Sequence, residues 1–310
     1  MELHEIPGKA TGYDHDVVVV GGGPAGCAAG VFTARYGLET AIFDRGRSSL
    51  QRCAHLENYL GFPAGIGIDT LYDLIHDHAE TAGCEIVPDF VESVEFDDDR
   101  EGFVVHPQEG DPVTARRVVA ATRYDGQYMR GLGDDDAMFE VREKHGEEAE
   151  YFDKNYANED GTTDVEGLFV AAPYGETGYQ AMMAAGRGTR TAISLIEDVR
   201  REQGYPDSML NHYDWVRLDA ELDGEWSDRN RWREFFHDRL PDDPGLDDEQ
   251  LVELREWEIS RTLAGYISNE EIEARGRRAQ ERLLDHFDDD VILARAKELQ
   301  GRQQLAESDD

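Results

Sequence analysis

Residues 16–20, DVVVV, form an unbroken apolar run with no polar alternation, the pattern of a strand buried on both faces. The run leads into GGGPAG and then CAAGVFTARYG, a small-residue helix ending at Gly37, and a second strand, TAIFD, follows at 40–44. Together they predict a β-α-β unit of about thirty residues. Residues 68–82 read as an amphipathic helix with Leu71, Leu74, Ile75 and His78 near one face. Short strands are expected around 85–88, 90–96 and 102–106, and VVAAT at 118–122 as another buried strand. From 123 to 164 the chain is acidic and weakly patterned, a connector with one helix at most. GLFVAA at 167–172 then predicts a strand, and a long helix starts near 179.

Past residue 205 the pattern changes. Asp, Glu and Arg dominate, apolar residues recur at helical spacing, and segments 247–266, 269–287 and 288–300 predict helices. Ser268 with Glu271 fits a capping box opening the second of these. The expected organisation is an α/β domain over 1–204, with its core at 14–123 and 164–204 and an acidic connector at 124–163. An all-α appendage over 205–310 follows it.

Charge alters the setting. The 310 residues carry 68 acidic against 31 basic side chains, a net charge of -37, and the lysines are Lys9, Lys144, Lys154 and Lys297 alone. Strong salt screens such self-repulsion over a few ångströms, so the composition suits molar salt and an extreme halophile is expected. Nucleic-acid phosphates would be repelled. The polar start MELHEIPGKATGYDHD has no apolar signal region, and no apolar run is long enough for a bilayer, so a soluble cytoplasmic protein is expected. Cys27, Cys53 and Cys84 form no CxxC and no Cys/His cluster, so neither a zinc site nor a disulfide framework is expected. Cys27 and Cys84 read as buried thiols. Cys53, in the polar loop RSSLQRCAH with His55 two residues on, is the weak candidate for reactivity. His76 and His78 read as solvent or core-edge residues, and the Asp97–Asp99, Asp134–Asp136 and Asp288–Asp290 triads as solvated surface. Trp215, Trp226, Trp232 and Trp257, with Phe235 and Phe236, read as closing a small helical core, or else as a docking or dimerisation surface.

Candidate chemistry centres on Gly21, Gly23 and Gly26, which stand in G-x-G-x-x-G between a buried strand and a helix, with Pro24 and Ala25 between the last two. The first glycine permits a tight turn, the second lets the backbone approach a pyrophosphate, and the third lets helix and strand pack closely. Phosphates then meet unsatisfied N–H groups at the helix start. Asp44, ending the second strand, is placed to accept from an adenosine ribose, with Arg45 beside it. The motif does not separate FAD from NAD.

LENYLGFPAGI at 56–66 resembles the VENYPGFP-x-GI segment of the thioredoxin reductase family. GLFVAA…YQAMMAAGRGTRTAI resembles that family's GVFAAGD…RQAVTAAG-x-G-x-AA. With the glycine fingerprint, these blocks keep the family's order from residue 16 to about 200. The resemblance implies a Rossmann-like FAD-binding domain with a parallel sheet. Carried over, Gly21, Gly23 and Gly26 would hold the FAD pyrophosphate and Asp44 the ribose. Asn58 would lie near the isoalloxazine, and Gln180 and Ala181 would begin a helix facing its pyrimidine edge.

The chain departs from that family in four places. Between its two last sheet strands lies only the connector, with no second glycine fingerprint, so the nicotinamide domain and its CxxC are expected to be missing. Pro173 replaces the family's aspartate after the last strand, with Glu176 nearby but off register. Arg123 replaces the glycine of ATG, and either offers the pyrophosphate a cation or blocks it. The loop after Asp44 is short and lacks GGQ. The expectation is an FAD-dependent oxidoreductase exchanging electrons with a partner protein or small molecule, with a homodimer possible. A non-catalytic scaffold, or a single-domain NAD enzyme, is the alternative.

Overall fold

The structure, a computed structural model, describes residues 12–46, 49–98, 101–123, 125–144, 147–171 and 180–308. Its centre is β1 (His15–Val20). Side chains alternate faces along a strand, and here Val17 and Val19 enter one apolar core while Val18 and Val20 enter another. Such a strand must be covered on both sides. Helix α1 (Pro24–Tyr36) follows, with Pro24 at its first position. Strand β2 (Thr40–Phe43) runs parallel to β1, α2 (Ile68–Ala82) comes next, and β3 (Glu85–Val87) lies parallel to β2.

Three strands then form an antiparallel meander, β4 (Val91–Phe96), β5 (Phe103–Pro107) and β6 (Val113–Ala120), and β6 returns parallel to β1. A four-residue helix α3 (Asp135–Met138), β7 (Phe139–Lys144) and β8 (Glu147–Phe152) lead to β9 (Leu168–Val170), which pairs parallel with β6. The sheet order is β3-β2-β1-β6-β5-β4, with β9 also on β6. Long helix α4 (Ala181–Glu202) packs with α1 on the face that holds Val17 and Val19. This is the α/β, mostly parallel, Rossmann-like arrangement expected.

The connector differs from expectation. Instead of a loose segment with one helix, β7 and β8 form a hairpin, and Tyr128, Met129, Met138, Phe139 and Phe152 cover the sheet face that holds Val18 and Val20. Its apolar anchors sit at the hairpin base, where Phe139 pairs with Phe152. Beyond it Val141, Glu143, Glu148, Ala149 and Glu150 are exposed, and no long periodic signal marks the strands.

The appendage is helical but not all-α. It contains β10 (Arg217–Leu218), α5 (Arg229–His237), α6 (Asp248–Ala264), β11 (Tyr266–Ile267), α7 (Asn269–Leu284) and α8 (Asp289–Ser308), and β10 and β11 pair in parallel through two residues each. The Ser268 hydroxyl accepts from the Glu271 N–H at 3.2 Å as expected. The full reciprocal box forms at Asp247 and Gln250. Tyr205, Met209, Leu210, Phe236 and Leu254 make a small core, and Trp257 packs on both this core and that of the sheet. Trp226, Trp232 and Phe235 form a separate edge-to-face cluster, and Trp215 is exposed. Among the described residues no helix is long and apolar enough to cross a membrane.

A buried cation joins the two parts. Arg200 at the end of α4 is 1 % exposed; it donates to the Met209 carbonyl at 2.9 Å and lies 3.2 Å from the Glu258 carboxylate on α6. The Tyr205 hydroxyl donates to the same carboxylate at 2.8 Å. Burial opposes ionisation of Glu258, but Arg200 outweighs it and holds the carboxyl below its usual range. Beside it, Arg261 donates to the Tyr36 carbonyl at 2.6 Å and to His212 Nε2 at 3.0 Å. Burial first, then Arg261 and Arg200, lower the His212 pKa to about 3.

Glu258→Ala leaves Arg200 buried without its carboxylate, and should cost about 3 kcal/mol in thermal or denaturant unfolding in molar KCl. His212 is neutral when folded and takes up a proton on unfolding between pH 6.5 and about 3. Its contribution is therefore complete above pH 6.5 and lost as pH falls. His212→Gln should show a shallower fall in melting temperature over that interval than the parent chain.

Candidate functional site

A cavity of about 180 Å3 opens at the carboxyl ends of β1, β2, β6 and β9. Strand order reverses there, since β1 has β2 on one side and β6 on the other. Open α/β sheets bind ligands at such switch points. Of the expected cofactor residues, Gly21, Gly23, Pro24, Ala25, Asp44, Arg45, Arg123, Gln180 and Ala181 all line it. Pro173 and Glu176 lie outside the described residues.

The glycine loop is shaped by contact. Gly21 has φ 112°, left-handed backbone that L side chains resist. Gly26 lies behind the loop, where a Cβ would come 1.7 Å from the Gly21 carbonyl oxygen. Gly22, a position open to any residue in the motif, is equally constrained: a Cβ would sit 2.5 Å from that of Asp44. Gly23 caps α1 with no side-chain hydrogen bond, and Gln180 caps α4 likewise. Among the described residues, both helix starts thus bring backbone N–H groups without side-chain caps to the cavity.

Asp44 follows β2. Its Oδ1 accepts from the Gly46 N–H at 3.1 Å. Its Oδ2 is buried, accepts no hydrogen bond among the described residues, and lies 3.2 Å from His76 Nε2. Burial works against the charged form, but His76 and the Gly46 N–H together keep the carboxyl below its ordinary value. His76, expected at the solvent or core edge with no role, is half-buried against this loop, and its Nε2 is also 2.9 Å from the Gly22 carbonyl. The Asp44 contact first and Cys27 second, against the effect of burial, raise its pKa to about 10. His78, expected near the apolar face, is exposed. The signal for His76 was its spacing: Ile68, Tyr72, His76 and Ala79 share one helical face.

Arg45 lies over the Phe90 ring at 4.4 Å and 3.4 Å from Asp125. Asn58 does not line the cavity, but its Nδ2 donates to Gln180 Oε1 at 3.0 Å and so touches the start of α4. Cys53 is exposed, and the His55 ring contacts the Ala64 carbonyl at 3.3 Å; neither lines the cavity. Cys27 and Cys84 are buried, as expected. Among the described residues no cluster of His, Cys, Asp or Glu is arranged to hold a metal.

The residues fit an FAD. Uncapped helix starts suit a pyrophosphate, and the orphaned Asp44 Oδ2 is a buried acceptor waiting for a donor such as a ribose hydroxyl.

The fold with this site is a Rossmann-like FAD-binding fold. Residues 15–143 match the family described as pyridine nucleotide-disulphide oxidoreductase, an FAD-binding type of domain. The chain is 33% identical over 121 residues to a thioredoxin reductase of Streptomyces clavuligerus, a stretch making 38% of this chain and 36% of that protein. It is 30% identical over 126 residues to the thioredoxin reductase of Streptomyces coelicolor, covering 40% and 38%. The match thus spans little more than a third of those relatives' length. A solved thioredoxin reductase from Gloeobacter violaceus shares the fold with a TM-score of 0.51 at 17% identity, covering 66% of this chain and 98% of that one.

Arg123 has φ 68°, a non-glycine residue in left-handed backbone at the cavity wall. Arg123→Gly and Arg123→Ala remove the same guanidinium, so the glycine variant should be the more stable of the two by about 1 kcal/mol in thermal unfolding, the cost of a Cβ in left-handed backbone.

Proposed function

We propose that the chain is an FAD-dependent oxidoreductase that exchanges electrons with a partner protein or small molecule rather than through a nicotinamide domain of its own. The observation that carries the reading is the buried, unsatisfied Asp44 Oδ2 beside the glycine loop, at the carboxyl edge of the sheet. Bound FAD would supply the electron-accepting and electron-donating ring. The protein would supply the rest. Backbone N–H groups at the start of α1 would hold the pyrophosphate, and Asp44 would accept from the adenosine ribose. The start of α4, fixed by the Asn58–Gln180 hydrogen bond, would offset negative charge gained on reduction.

The absence of a nicotinamide domain is supported by the path between β6 and β9. Residues 121–167 connect the two strands, and those described form short turns, α3 and the β7–β8 hairpin. That hairpin covers the sheet face itself. A 1–204 FAD domain followed by a helical domain fits the two separate apolar cores, joined through Trp257 and Arg200. The acidic, lysine-poor composition supports work in molar salt.

Protein purified in molar KCl should show a two-banded flavin absorption spectrum, with FAD released on denaturation. Asp44→Ala should weaken FAD binding about tenfold or more, read by flavin fluorescence on titrating the apoprotein. A colourless chain that stays colourless after refolding with FAD in high salt would overturn this reading, and point instead to a scaffold. Protection from unfolding by NAD alone would point to an NAD enzyme.

A further inference from the structure

This inference rests on the FAD reading and concerns how the site is held together. His76 is on α2, outside the glycine fingerprint and outside the strand that carries Asp44. Yet a single nitrogen of its ring reaches both. Nε2 lies 2.9 Å from the Gly22 carbonyl, to which it is placed to donate, and 3.2 Å from Asp44 Oδ2, with which the protonated ring forms an ion pair. No side chain at Gly22 intervenes, because a Cβ there would collide with Asp44.

We propose that His76 is a positioning residue of the dinucleotide site: as a cation it ties the fingerprint loop to the ribose-binding carboxylate and fixes both for FAD.

The physical basis is the poor environment Asp44 would have alone. Its Oδ2 is buried and accepts no hydrogen bond, and burial disfavours its charge. A protonated imidazole 3.2 Å away keeps the carboxylate ionised, and leaves Oδ2 free to accept from a ribose hydroxyl. The groups facing the ring are few. Asp44 follows β2, Cys27 comes from α1, and Tyr72 lies one turn back on α2 with its ring 5.1 Å away, edge-on. Burial pushes the Cys27 thiol up, and its Sγ donates to the Gly22 carbonyl at 3.2 Å, so it adds no negative charge at neutral pH. Asp44 is therefore the anion that His76 answers.

The test is FAD titration of the apoprotein in molar KCl, followed by flavin fluorescence between pH 6 and 10.5. The parent chain is compared with His76→Gln and His76→Lys, and near-UV circular dichroism confirms folding at each pH. The parent should bind tightly up to about pH 9 and lose affinity as His76 deprotonates near 10. His76→Gln, which keeps a donor but no charge, should bind about tenfold more weakly at pH 7 and lack that pH-dependent step. His76→Lys should recover part of the loss. Equal affinity and the same pH profile in parent and His76→Gln would overturn the inference while leaving FAD binding intact. A parent chain that binds no FAD at any pH would overturn both.

Discussion

The structure depends on how closely α1 approaches its neighbours. A Cβ on Gly26 would stand 1.7 Å from the Gly21 carbonyl oxygen, and one on Gly188 in α4 would stand 1.9 Å from the Ala25 carbonyl oxygen. Helix α1 is thus held in backbone contact on two sides, against the turn leaving β1 and against α4. No side chain fits in either gap. Because both contacts fall in the first turn of α1, they fix the direction in which its free N–H groups point. The same glycines that let the helix pack also place α4 so that its start, at Gln180 and Ala181, shares the cavity. Packing and binding are one constraint here, met at residues too small to do anything else.

From that contact the order propagates outward. The far end of α4 carries Arg200, whose buried guanidinium is answered by Glu258 and stacked 3.7 Å from the Tyr205 ring. The far end of α1 carries Tyr36, whose carbonyl takes a hydrogen bond from Arg261 and whose hydroxyl donates to Gln203. The two helices that meet at the cavity therefore also form, at their other ends, the seat for α6. A second tie runs through α2, where Asp77 is paired with Arg282 and His286 of the appendage. His76, the next residue back, faces the glycine loop. The appendage is consequently attached to all three helices that shape the nucleotide site.

Much of this was legible in the sequence, for a physical reason. DVVVV is β-branched, continuous and short, the pattern of a strand covered on both faces, and a glycine turn between it and a small-residue helix leaves few alternatives. The bounds of α2 and the place of the glycine turn followed from those local patterns, while Gln180, Ala181 and Arg123 were reached only through the resemblance. What escaped was nonlocal. The β7–β8 hairpin is held by Phe139 and Phe152 at its base, and the intervening acidic residues carry no periodic signature. His76 read as a solvent or core-edge histidine without a role because its partners are a backbone carbonyl and a carboxylate about thirty residues and more away along the chain. The two-residue pairing of β10 with β11 is too short for any pattern to announce. The motif leaves position 22 open, and the constraint on Gly22, the Asp44 side chain, comes from another strand.

Charge poses the last question, since a chain of net charge -37 has to accept an anionic dinucleotide. The answer lies in range. In strong salt the Debye length falls to roughly 3 Å at 1 M, so the distant acidic surface is largely screened at the cavity while groups in direct contact are not. The charged side chains lining the cavity are Arg45 and Arg123 with Asp44, Asp89 and Asp125, and the starts of α1 and α4 and His76 behind Asp44 add positive or partly positive character in direct contact. Each of the three carboxylates is engaged, Asp44 by His76, Asp125 by Arg45, and Asp89 by the backbone N–H groups of Phe90, Glu109 and Gly110. At low ionic strength the same cavity would sit in the summed field of the whole acidic surface. The site is thus built for contact electrostatics, and high salt is the condition under which contact electrostatics prevails over net charge.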